Sequence, residues 1–112
     1  MSPLRSFLPI EFEKFFLALD QELRKRVTVI VIGGAAIGLS YDPRHSTSDI
    51  DLVPVGDPAF WKAVKRVRAA NPIPVQTVPF FTPPYDYESR CTRLGLKGQR
   101  HGTLLGTQAQ GA

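Results

Sequence analysis

The sequence predicts an α+β fold, a small mixed β-sheet with helices flanking it. Three observations support this class. Val27 to Ile32 is an unbroken, mostly β-branched run of strand length. Residues 9–26 and the stretch after Asp57 carry apolar side chains at helical spacing. Asp49-Ile50-Asp51-Leu52 alternates charged and apolar residues with the period of two that a strand imposes. Strands are expected at 27–32, 49–55 and 74–81, within one domain over residues 1–96.

Taken in order, Pro9 suits the first turn of a helix. Phe12, Phe15, Phe16, Leu19 and Leu23 recur three or four residues apart, so 9–26 reads as amphipathic with its aromatics in the core. Arg24, Lys25 and Arg26 fall in its expected last turn, where the helix dipole favours cations. The run from Val27 to Ile32 is apolar enough to be covered on both faces. Gly33-Gly34-Ala35-Ala36 breaks it, and only a short helix, Ala35 to Leu39, fits before the loop from Ser40 to Ser48, which Asp42-Pro43 marks as a turn. On the next strand Asp49 and Asp51 share one face, while Ile50 and Leu52 share the other.

Asp57-Pro58 is an N-cap followed by proline at the first helical position. Phe60, Ala63, Val64 and Val67 make the buried stripe of that helix. Lys62, Lys65 and Arg66 line another face, which reads as solvated, with an RNA backbone as the alternative contact. Asn71-Pro72 ends the helix. In the third strand Pro74 and Pro79 lack a backbone donor, which suits a sheet edge or irregular strand ends. Thr82-Pro83-Pro84 opens a short polar helical turn through Tyr85, Asp86, Tyr87, Glu88 and Arg90. From Lys97 to Ala112, four glycines and several glutamines leave no sustained apolar period, the composition of a loosely structured tail.

A chain of 112 residues supports one domain and not two. Its hydrophobic fraction of 43% and charged fraction of 21%, with mean hydropathy −0.09, are those of a soluble globular protein. No apolar run approaches the ~20 residues of a membrane span. Met1-Ser2-Pro3-Leu4-Arg5 does not open a signal peptide, so a cytoplasmic location is expected. The one cysteine, Cys91, excludes an internal disulfide and a cysteine-rich zinc site. It has no identifiable catalytic partner and reads as a free thiol. His45 and His101 are too far apart and too unsupported by other ligands to make a zinc site. The net charge of +4 favours anionic partners, nucleotides or nucleic acid.

Aspartate is depleted in strands, and two on one face repel each other. A divalent cation removes that conflict, since Mg²⁺ is commonly held by one or two carboxylates together with substrate phosphates. A solvated acidic edge strand is the structural alternative. The upstream residues favour the cation. Paired glycines let backbone N–H groups approach a phosphate, and a helix N-terminus adds its dipole. Ser46, Thr47 and Ser48 supply further donors, while Arg44 and His45 supply charge. Strand, Gly-Gly, short helix, hydroxyl-rich loop and acidic strand together suit a nucleoside triphosphate, with Mg²⁺ or Mn²⁺ at Asp49 and Asp51.

Val31-Ile32-Gly33-Gly34-Ala35-Ala36 and Arg44-His45-Ser46-Thr47-Ser48-Asp49-Ile50-Asp51-Leu52-Val53 resemble the nucleotidyltransferase superfamily, the fold of DNA polymerase β and of the aminoglycoside and tRNA nucleotidyltransferases. Over roughly residues 27 to 94 the chain looks most like small bacterial and archaeal members related to the AbiEii-type toxins. Pro83 to Arg90 is similar to the segment after their third strand. The resemblance implies a nucleotidyltransferase-like domain over 1–96. Gly33 and Gly34 would bind triphosphate, and Asp49 and Asp51 would be catalytic metal ligands. The implied reaction transfers a nucleoside monophosphate from an NTP to a hydroxyl on RNA, tRNA or a protein.

The resemblance also implies a third acid on the next core strand, as metal ligand or general base. None lies between Ile73 and Phe81. Gln76 is the best candidate for that position, and Asp86 or Glu88 would be next in line as a base. The missing acid, with no sign of the C-terminal helices common in the family, keeps a second reading open. The chain would then be a catalytically impaired module that binds nucleotide, RNA or a protein partner, or a domain completed by a partner subunit or a second copy. Gly33-x-Ala35-x-x-Gly38, with Asp51 18 residues beyond Gly33, partly imitates a dinucleotide-binding fingerprint. That fingerprint needs a full crossover helix, for which the segment is too short.

Overall fold

A computed structural model of the chain describes residues 5–25, 27–40, 42–78, 92–93 and 104–106. The elements are α1 Pro9–Glu22, β1 Val29–Ile32, α2 Gly33–Ser40, β2 Ile50–Leu52, α3 Pro58–Ala70, β3 Val75–Thr77, β4 Thr92–Arg93 and β5 Leu104–Gly106. The strands form one mixed sheet in the order β3-β2-β1-β5-β4, so the fold is of the predicted α+β class. The expected turn over 82–90 with Asp86 and Glu88, together with Cys91 and His101, lies outside the described residues.

The core lies between one face of the sheet and the helices. Phe12, Phe15, Phe60, Ile50, Leu52 and Val31 are fully buried there, each stabilising the fold by about 1.5–3 kcal/mol relative to exposure. Pro9 takes the first position of α1, and the Leu8 N–H donates to Glu11 Oε2 at 2.9 Å, satisfying one donor ahead of the helix. The helix ends at Glu22, four residues short of expectation. Leu23 takes extended backbone at φ −81°, ψ 145° and packs half-buried against the core. Arg24 and Lys25 therefore lie beyond the last turn, and Lys25 Nζ sits 3.4 Å from Asp57 Oδ2 at the start of α3. Asp57 caps that helix by accepting from the Ala59 N–H at 2.9 Å.

Val29 and Val31 of β1 face the core, while Ile30, also buried, points to the other face, so the strand is covered on both sides. β2 pairs antiparallel with β1, and β3 pairs parallel with β2 at the sheet edge. β2 is shorter than the expected 49–55, and β3 starts one residue later than expected, while 79–81 of its expected range lie outside the described residues. Val53 still donates to Ile30 O at 3.0 Å, but Pro54 has no N–H with which to continue the ladder. Pro74 likewise precedes β3, accepting from the Ile50 N–H at 2.9 Å without donating. The second edge of β1 is taken by β5, parallel, with Val29, Ile30 and Val31 opposite Leu104, Leu105 and Gly106. Those three residues fall in the stretch 97–112 expected to be a loose tail. The apolar periodicity that was absent there is not what recruits them: a strand buried on both faces must pair its backbone on both edges.

Candidate active site

Alternation along β2 builds the site. Ile50 and Leu52 are buried in the core, which forces Asp49 and Asp51 to the opposite, half-exposed face. Burial, and then repulsion from Asp49, raises the Asp51 carboxyl above its ordinary range. Charge at Asp51 is thus disfavoured until something positive arrives. β1 delivers the other half. Ile32 lies opposite Asp51, and the next residue, Gly33, turns the chain into α2 with φ +71°. A Cβ at Gly33 would lie 3.1 Å from Asp51 Oδ2, so both the conformation and the close approach call for glycine.

Gln76 stands opposite Asp51 in the β2–β3 register, and its Nε2 donates a hydrogen bond to Asp49 Oδ2. The residue expected at the place of the missing acid therefore sits on the acidic face beside both aspartates. Val75 and Thr77 fall on the opposite face by alternation. Among the described residues no His, Cys, Asp or Glu joins Asp49 and Asp51 to make a group of three. Two half-exposed oxygen ligands in mutual conflict fit a hard divalent cation that completes its shell elsewhere.

The hydroxyl-rich loop is only partly brought in. A Cβ at Gly34 would lie 2.8 Å from Thr47 Oγ1, so Thr47 packs directly on the start of α2. Arg44 and Ser46 are exposed, and Ser48 is half-buried beside Asp49 in sequence. The turn that carries Arg44 is held by Asp42, whose Oδ1 accepts from the Arg44 N–H at 2.9 Å and whose carbonyl accepts from the His45 N–H at 3.0 Å. Among the described residues, none of Arg44, Ser46 and Ser48 has a hydrogen bond or ion pair to Asp49 or Asp51.

Residue spacing did not single out Phe7. It is buried and bridges Thr47 in antiparallel fashion, N–H to carbonyl at 2.8 and 3.1 Å. This ties the loop to the chain ahead of α1. Further along, a Cβ at Gly38 would meet Pro9 Cγ at 2.6 Å, so the far end of α2 rests on the start of α1. On α3, Lys62 and Lys65 are exposed, and Arg66 Nε pairs with Glu22 Oε2 at 2.9 Å.

The antiparallel pairing of β1 with β2 removes the dinucleotide reading, because that fingerprint joins two parallel strands. A glycine turn instead delivers the N-terminus of α2 to the paired-aspartate strand. Residues 13–105 match the model of a family described as nucleotidyltransferase of unknown function (DUF6036), and the chain belongs to that family. The matched stretch runs through Gly33, Gly34, Asp49, Asp51 and Gln76 and crosses the expected boundary at residue 96 into β5. No curated protein and no solved structure matches the chain. No described helix is long and apolar enough to cross a membrane.

Proposed function

We propose that this chain binds a nucleoside triphosphate with Mg²⁺ or Mn²⁺ and transfers its nucleoside monophosphate to a hydroxyl acceptor. One observation carries the proposal: Asp49 and Asp51 share the half-exposed face of β2, and Gly33 at the head of α2 comes so close that a Cβ there would lie 3.1 Å from Asp51 Oδ2. Asp49 and Asp51 hold the cation. When bound, it supplies charge neutralisation and alignment of the attacking oxygen. The backbone N–H groups of Gly33 and Gly34 face the phosphates, helped by the dipole of α2. Thr47, with Ser46 and Ser48, adds hydroxyl donors, and Arg44 adds charge. The net charge of +4 and the exposed Lys62 and Lys65 favour RNA or tRNA over a protein as the acceptor. A relation to AbiEii-type toxins is part of the same proposal.

Gln76 favours a second form of this reading. An amide neither takes a proton nor adds negative charge, and a general base typically contributes 10²–10⁴-fold to rate. The isolated chain then binds nucleotide and cation but turns over slowly, unless a partner subunit or second copy completes the site. Titration calorimetry with NTP and Mg²⁺, alongside incubation with labelled NTPs, Mn²⁺ and total cellular RNA, tests both forms. The wild type is expected to bind NTP–Mg²⁺ and label RNA slowly. The Asp49→Asn, Asp51→Asn double variant is expected to do neither while still folding. Equal heats in the two proteins would make the aspartates ordinary surface residues and sink the proposal.

A further inference from the structure

We propose that Gln76 is a positioning residue that restricts the acidic pair to a single divalent cation, one that enters together with a nucleotide. This rests on the proposed function, since it takes Asp49 and Asp51 as the cation's ligands. The Gln76 Nε2–H donates to Asp49 Oδ2. The positive end of the amide dipole therefore occupies one of the positions on Asp49 that a cation would take. It does so without cancelling the carboxylate charge. Two carboxylates carry enough charge to balance one divalent ion. A second ion about 3.5–4 Å away, as in two-metal sites, needs further negative charge to offset ion–ion repulsion. Among the described residues no third His, Cys, Asp or Glu joins the pair to supply it. Gln76 stands opposite Asp51 in register, and an amide there adds no negative charge.

The competition also weakens binding of a bare ion, because Asp49 must first release its amide donor. A nucleotide changes the balance by bringing phosphate oxygens that complete an octahedral shell. The exposure of Gln76 on an edge strand makes it a clean position to alter, since no core contact depends on it.

Counting bound Mn²⁺ by electron paramagnetic resonance, with and without a non-hydrolysable NTP analogue, tests the assignment on the full chain. In the nucleotide complex the wild type should hold one Mn²⁺ and Gln76→Glu two. Gln76→Ala, which removes the donor without adding charge, should remain at one. Without nucleotide, Gln76→Ala should bind Mn²⁺ about tenfold more tightly than the wild type, the size of one lost hydrogen bond to a charged group. This variant carries the test if Gln76→Glu does not fold. Two ions in the wild type, one in a folded Gln76→Glu protein, or unchanged bare-ion affinity in Gln76→Ala would each overturn the role of Gln76 while leaving the nucleotide site in place. No Mn²⁺ in any of the three nucleotide mixtures would overturn the proposed function itself, and the role of Gln76 with it.

Discussion

Gly34→Ala is expected to destabilise the fold by about 1 kcal/mol, and the sign of the effect should reverse when Thr47 is replaced by glycine. The added methyl would lie 2.8 Å from Thr47 Oγ1 and 2.9 Å from Thr47 Cβ. Rotating the hydroxyl away relieves only the first contact. The second involves an atom fixed to the backbone, and that backbone is held by two hydrogen bonds to Phe7. Overpacking of this kind costs roughly 1–3 kcal/mol. Against it, alanine in a helix gains up to about 1 kcal/mol over glycine, and Gly34 has no positive φ to forbid the substitution. In a Thr47→Gly background the clashing atoms are gone and only the helix gain remains. Denaturant titration of the four proteins of the double-mutant cycle should therefore give a coupling of about 1–3 kcal/mol. Thr47→Ala, which keeps Cβ, should rescue incompletely. A coupling below about 0.5 kcal/mol would refute the close packing of the loop on α2.

Gly33→Ala should be more damaging, because φ +71° costs an L-residue about 1–2 kcal/mol before the contact with Asp51 is counted. Denaturant titration would show this, and a stability equal to the wild type would mean the turn is built differently. The raised Asp51 carboxyl means the cation-free native state holds that proton more tightly than the unfolded chain. Its contribution to stability is therefore lost as pH rises from the ordinary carboxylate range through the raised one. Asp51→Asn should abolish that decline and exceed the wild type in stability at neutral pH, and pH-dependent denaturation that superimposes for the two proteins would contradict it. Deleting residues 97–112 should lower the melting temperature sharply or cause aggregation, since it removes β5 and exposes the edge of β1. An unchanged melt would show that β1 does not need that partner.

The sequence by itself determined the elements whose signal is local. The aromatic spacing of α1, the Asp57-Pro58 start of α3 and the both-face burial of β1 each follow from side chains a few residues apart. The face shared by Asp49 and Asp51 follows from period-two alternation against a buried Ile50 and Leu52. Pro74 narrowed β3 to a sheet edge or an irregular strand end, because it cannot donate to a neighbour, and the strand order puts it at the edge. Only the tertiary structure decided what crosses long stretches of chain. The bond from Gln76 to Asp49 depends on a strand register 27 residues apart. The bridge from Phe7 to Thr47 pins the hydroxyl-rich loop, and β5 completes β1 from a stretch without apolar periodicity. Backbone hydrogen bonds make these last two links. The N–H and C=O groups are the same in every residue except proline, so side-chain patterns record which face a strand buries and leave unrecorded which strand lies at its edge.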